Sequence, residues 1–176
     1  MRVIAGAWRG RTLRAPPGRD TRPTSDRVRE ALFSILGDVS DARVLDLFAG
    51  SGALGIEALS RGASEATFVD SSRRAADAIR ANLRAVGDPP ATVRVEDALA
   101  HLARARDTYD LVFADPPYST AGTRLGDQLS KLLPRILHET SLTVTESDKR
   151  APLALDLPLV DERTYGDTRI AIHRGR

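Results

Sequence analysis

From residue 43 onward the chain alternates between two hydrophobic periods. Short runs dominated by apolar residues at 43–48, 66–70, 91–96, 109–114 and 142–146 have the length and composition of buried strands. Between them, apolar positions recur with helical spacing over about 53–60, 72–86, 97–104 and 122–137, and Gly62 and Gly87 mark two of the stops. Upstream, Val28, Ala31, Leu32, Ile35 and Leu36 share one helical face. This predicts a helix over 25–37 capped by Thr24 or Ser25 and closed by Gly37. Residues 159–165 and 168–173 flank Gly166-Asp167 and read as a hairpin. Residues 2–14 read as a second, smaller hairpin, followed by the linker Ala15-Pro16-Pro17-Gly18. The expected architecture is α/β: a doubly wound, mostly parallel sheet with one antiparallel strand over residues 19–176, preceded by a hairpin arm over residues 1–18.

At 176 residues with 41% hydrophobic content, the chain suits one compact domain. Cysteine is absent, which excludes disulfides, thiolate metal sites and a cysteine nucleophile. Alkylation of pyrimidine C5 through a thiolate adduct is therefore excluded, and direct attack by a nitrogen is favoured. The three histidines, His101, His138 and His173, lack ligand spacing, so no metal is expected. No apolar run reaches the roughly 18 residues of a membrane span, and residues 1–9 lack the apolar stretch of a signal peptide. The expectation is a cytoplasmic protein. Charge is uneven: residues 1–29 hold eight arginines against two acids, while the whole chain is only +2. A basic arm on a mildly acidic body suggests a polyanion partner.

The first strand-to-helix turn of the alternating region carries Asp46-Leu-Phe48-Ala49-Gly50-Ser51-Gly52-Ala-Leu-Gly55. Glycines there let the backbone turn tightly and a ligand approach closely, at the sheet edge where doubly wound folds bind ligands. Gly50, Gly52 and Gly55 satisfy the dinucleotide fingerprint, so a nicotinamide cofactor is one reading. Asp46 opposes it, because a carboxylate at that point repels a pyrophosphate yet suits the ammonium of an amino-acid tail. A P-loop fails because Ile56 stands where lysine is required, and a nucleophile elbow fails at Ala49. Asp70 ends the second strand, where a carboxylate can take both hydroxyls of a ribose, with Ser71 following. Asp97 and Ala98 follow the third strand, and Asp97 can accept from an adenine amino group. Each acid can also cap the helix after it.

The fourth strand ends in Asp115-Pro116-Pro117-Tyr118. The prolines stiffen the turn and hold the preceding carbonyls. The carboxylate can accept from an NH2 group, and the tyrosine offers a face for stacking on a flat base. This tetrad resembles motif IV of the S-adenosylmethionine-dependent amino-methyltransferases, and the strand pattern resembles their seven-stranded Rossmann-like fold.

The N-terminal run is more specific. Gly6-Ala-Trp8-Arg9-Gly10-Arg11-Thr-Leu13, then Arg22-Pro23-Thr24-Ser-Asp26-Arg27-Val-Arg29-Glu30-Ala-Leu-Phe33, resembles the opening of the RsmD-like family. These are guanine-N2 methyltransferases of bacterial small-subunit ribosomal RNA. The resemblance continues through 45–62, 115–118 and 165–168, and so spans nearly the whole chain; residues 147–160 match no motif. It implies transfer of a methyl from S-adenosylmethionine to guanine N2, with Asp115, Pro116, Pro117 and Tyr118 at the reacting base. Asp46, Phe48, Ala49, Gly50, Ser51, Gly52, Asp70, Ser71, Asp97, Ala98 and Asp115 would line the cofactor. Arg22 to Glu30 would line the pocket, and the arm would grip RNA.

On that reading Arg2, Trp8, Arg9, Arg11, Arg14, Arg22, Thr24 and Arg27 are the candidate RNA contacts; Trp8 could equally brace the hairpin. The expected partner is ribosomal RNA within a small-subunit particle, met by a monomer. A DNA adenine-N6 methyltransferase shares the tetrad, but such enzymes commonly carry a target-recognition region for which this chain has no room. A non-catalytic RNA-binding assembly factor that holds S-adenosylmethionine is the alternative from another class.

Overall fold

The computed structural model describes residues 1–16, 25–117 and 123–176. Strands β1 (Arg43–Leu47), β2 (Glu65–Asp70), β3 (Ala91–Val95), β4 (Tyr109–Ala114), β5 (Leu137–Asp148), β6 (Leu159–Tyr165) and β7 (Thr168–Arg174) form a seven-stranded sheet in the order β3-β2-β1-β4-β5-β7-β6. β1 pairs parallel with β2 and β4, β2 with β3, and β4 with β5. β7 lies antiparallel between β5 and β6 and is the one reversed strand. This is the α/β, Rossmann-like sheet expected from the sequence. Chain order reverses at the β1/β4 junction, the place where ligands bind in such sheets.

Helices α1 (Asp26–Leu36), α2 (Ala53–Ser60), α3 (Arg73–Ala85), α4 (Ala98–Arg104) and α5 (Thr123–Leu132) cover the two faces. Ser25 caps α1 by accepting the Val28 N–H. Two expectations change. The helix expected over 122–137 stops at Leu132 and passes into a 3-10 turn, Leu133–Arg135, because Pro134 has no N–H to continue the ladder. β5 then starts at Leu137 rather than 142. Its register against β4 slips between Tyr109 and Leu111, which hides the alternation of the first half. Ile35, expected on the packed face of α1, is 36% exposed.

One core lies under α1, α2 and α3 and includes Leu32, Phe33, Val44, Phe68, Phe113 and Val144. The other lies under α4 and α5 and includes Leu47, Val69, Val112, Leu129 and Leu133. Leu153 and Leu157 belong to the second core, so the stretch without a motif closes that face of the sheet.

Among its described residues the arm forms one antiparallel bridge, Arg2–Thr12, and no extended strand. Val3 and Leu13 are buried in the first core. Gly6 sits at φ 84°, and a Cβ there would lie 1.7 Å from the Ser60 carbonyl oxygen. Only glycine allows this approach. The Ala7 N–H donates to that carbonyl at 2.7 Å. The expected boundary near residue 18 lies outside the described residues. These contacts join the arm to the first core and to the end of α2.

Candidate active site

Strand alternation decides which side chains meet at the carboxyl edge of the sheet. Ala66 and Phe68 on β2, Val44 on β1, Leu111 and Phe113 on β4, and Leu142 and Val144 on β5 face the core under α1–α3. Two residues on from each of these rows come Asp70, Asp46, Asp115 and Glu146. Four carboxylates therefore line one face of four adjacent strands.

Asp46 is 2% exposed. Its Oδ2 accepts the Gly55 N–H at 3.0 Å. Burial pushes its carboxyl up to about 8, and the nearby Asp70 adds to the effect against the Gly55 hydrogen bond. A Cβ on Gly55 would lie 2.4 Å from the Phe68 ring, so glycine is required for α2 to sit this close to β2. Asp70 holds the glycine turn: Oδ2 accepts the Gly50 N–H at 2.9 Å and Oδ1 the Ser72 N–H at 2.8 Å. Ser72, not Asp70, caps α3. Phe48, Gly50 and Gly52 all adopt positive φ, an arrangement that the phenylalanine enters only under strain.

Asp115 follows β4. Burial holds its carboxyl well above the usual carboxylate range, with Glu146 and then Asp46 adding like-charge repulsion. Pro116 is buried and Pro117 half-buried, while Tyr118 lies outside the described residues. Ser71 is exposed at the end of β2. Asp97 is exposed and caps α4, accepting the Ala100 N–H at 2.9 Å, with Ala98 buried behind it.

The edge is rich in carboxylate oxygens, so the groups that could be held there are hydrogen-bond donors. Among the described residues no group of His, Cys, Asp and Glu could hold a metal ion, and no helix is long and apolar enough to cross a membrane.

Of the expected polyanion contacts, Arg2, Arg9, Arg11, Arg14 and Arg27 are exposed. Trp8 is half-buried against the first core, and its backbone N–H donates to Ser60 Oγ at 3.0 Å. Arg22 and Thr24 lie outside the described residues. Arg29, in the stretch expected to line the pocket, is 1% exposed. It pairs with Asp26 at 3.0 Å and Glu57 at 3.9 Å and donates to the Arg2 carbonyl. Its role is internal, and burial lowers its pKa against the pull of those two acids.

Three buried polar residues escaped the sequence reading. Glu57 accepts the N–H groups of Ile4 and Ala5 at 2.8 and 3.0 Å. Asn82 donates to the Ser51 carbonyl at 2.9 Å, tying the glycine turn to α3. Glu146 completes the carboxylate row. Glu57 interrupts an apolar helix and Glu146 ends an apolar strand, and those interruptions were the available signals. Asn82 left none.

The chain matches the family described as conserved hypothetical protein 95 over residues 1–174. It is 40% identical to the YlbH protein of Bacillus subtilis, with both chains covered in full. Identity to the ribosomal RNA small subunit methyltransferase D of Haemophilus influenzae is 35%, covering 94% of this chain and 89% of that one. The solved structure of Escherichia coli YhhF superposes with a TM-score of 0.84 at 35% identity, covering 99% of this chain and 98% of that one.

Proposed function

Because the chain belongs to the RsmD-like family, we propose that it methylates ribosomal RNA of the small subunit, at the exocyclic N2 of a guanine, with S-adenosylmethionine as the methyl donor. The observation that carries this reading is the placement of Asp115, on a proline turn at the β1/β4 switch point, beside the buried Asp46. The cofactor supplies an electrophilic methyl on a sulfonium sulfur, and the bond to N2 forms as the carbon–sulfur bond breaks.

The remaining work belongs to the protein. When S-adenosylmethionine is bound, Asp46 would hold the ammonium of the amino-acid tail, Asp70 the ribose hydroxyls and Asp97 the adenine amino group. Guanine N2 is a weak nucleophile because its lone pair conjugates with the ring. Hydrogen bonds from N2 to the Asp115 carboxylate and the Pro116 carbonyl favour a pyramidal nitrogen with its lone pair free. Positioning is the main contribution. The raised pKa of Asp115 also suits it to take the N2 proton late in the step. The base must leave its stack to reach this edge, and Tyr118 is the proposed stacking partner.

The exposed arginines of the arm suit phosphate contacts, with the rest of the particle positioning the target base. Mass mapping of ribosomal RNA from cells with and without this gene tests the reading. A missing N2-methylguanine in small-subunit RNA is expected. Unchanged RNA, or a change on another base, would overturn it.

A further inference from the structure

Glu146 sits beside Asp115. Ala114 pairs with Thr145, so the next residue on each chain falls at the same level of the sheet edge. On its other side Glu146 pairs with Ile170 of β7, so a strand on each flank holds it rigidly. It is 6% exposed, on the face that carries Asp46 and Asp115. Burial raises the Asp115 carboxyl most, and Glu146 is the largest charged contribution beside it. Two carboxylates side by side at the sheet edge match a substrate with adjacent hydrogen-bond donors.

Guanine has such an edge. Its N1–H and N2 amino group are neighbouring donors, whereas adenine and cytosine place a ring-nitrogen acceptor next to their amino groups. We propose that Glu146 accepts the guanine N1–H while Asp115 holds the N2 amino group, so that the carboxylate pair selects guanine. The inference rests on the function proposed above. It adds the group that rejects other amino-bearing bases: a ring nitrogen facing Glu146 would set acceptor against acceptor, and a site built for a donor discriminates strongly against its absence.

The test compares full-length wild type with Glu146→Gln on small-subunit particles from cells lacking this gene. A second substrate is the same RNA rebuilt with 2-aminopurine, which keeps the N2 amine and lacks N1–H, at the methylated position. S-adenosylmethionine affinity by calorimetry should stay within about twofold. On guanine, kcat/KM should fall by ~10–100-fold, the scale of one charge-assisted hydrogen bond. Wild type should prefer guanine over 2-aminopurine, and the variant should have lost that preference. A variant with undiminished guanine turnover, or one that slows while keeping the wild-type preference, overturns the role of Glu146 and leaves the methyltransferase reading intact. A wild type that leaves guanine N2 unmodified overturns both.

Discussion

Asn82 pairs with the backbone of Arg14 much as a neighbouring strand would: its Oδ1 accepts the Arg14 N–H at 2.8 Å and its amide donates to the Arg14 carbonyl at 3.0 Å. The same amide also donates to the Ser51 carbonyl, so one side chain, 1% exposed, joins the arm to the glycine turn. Asn82→Ala leaves these backbone groups without their partner. Each buried group so orphaned costs about 1–3 kcal/mol. A clear fall in the urea midpoint is expected, with weaker binding of S-adenosylmethionine by calorimetry. Unchanged stability would show that water replaces the amide.

Glu57 is the arm's second anchor. It is fully buried and bonds the backbone of Ile4 and Ala5, with Arg29 and Arg61 as its cationic partners. Glu57→Gln leaves the Arg29 guanidinium short of countercharge in the core, a change that typically costs about 3–5 kcal/mol. A chain starting at Arg19 loses Val3, Leu13 and the Ile4 and Ala5 backbone donors to Glu57 together, so it should melt well below the full chain. Equal melting temperatures would show that the arm is dispensable for the fold.

The arm's contribution to RNA binding therefore needs substitutions that spare its docking. Arg9, Arg11 and Arg14 are exposed, and the Arg2 side chain makes a 3.4 Å surface pair with Asp26. Replacing all four with glutamine should leave the melting temperature nearly unchanged. If each neutralises a phosphate on duplex-like RNA, the slope of log affinity against log salt should shrink by up to ~3–4 units. Equal slopes would place the grip elsewhere, at Arg27 or Arg22.

Asp115→Ala should abolish methyl transfer while leaving S-adenosylmethionine affinity largely intact, because its proposed partner is the substrate amino group. The barrier should rise by at least ~2–4 kcal/mol, a rate loss of a hundredfold or more. Single-turnover methyl transfer on particles lacking the modification measures it, and near-normal turnover would remove Asp115 from the mechanism.

Asp46 ties stability to pH. Its carboxyl is raised to about 8 in the fold, against roughly 4 in an unfolded chain. The folded state therefore binds the extra proton between those values, and this group's stabilisation is lost as pH rises through about 8. With no cofactor added, the melting temperature of wild type relative to Asp46→Asn should fall from about pH 5 to pH 8 and level off above. A flat difference would mean that Asp46 is already ionised in the fold.

The chain by itself determined most of the sheet's elements and three of the acids at its edge. Strand periodicity, the stops at Gly62 and Gly87, the acids within β1 and at the end of β2, and the acid after β4 are local patterns, set by backbone sterics and by burial of alternate residues. Only the tertiary structure decided the rest. Pro134 and the slipped register hid the first half of β5, because that half is specified by its pairing with β4 rather than by alternation. Arg29 looked like part of a basic pocket surface until α1 packed it against Glu57. Glu146 became a neighbour of Asp115 only when residues 31 positions apart were brought to adjacent strands. A side chain's partner across the fold is a long-range property, and the residues around it in sequence carry little trace of it.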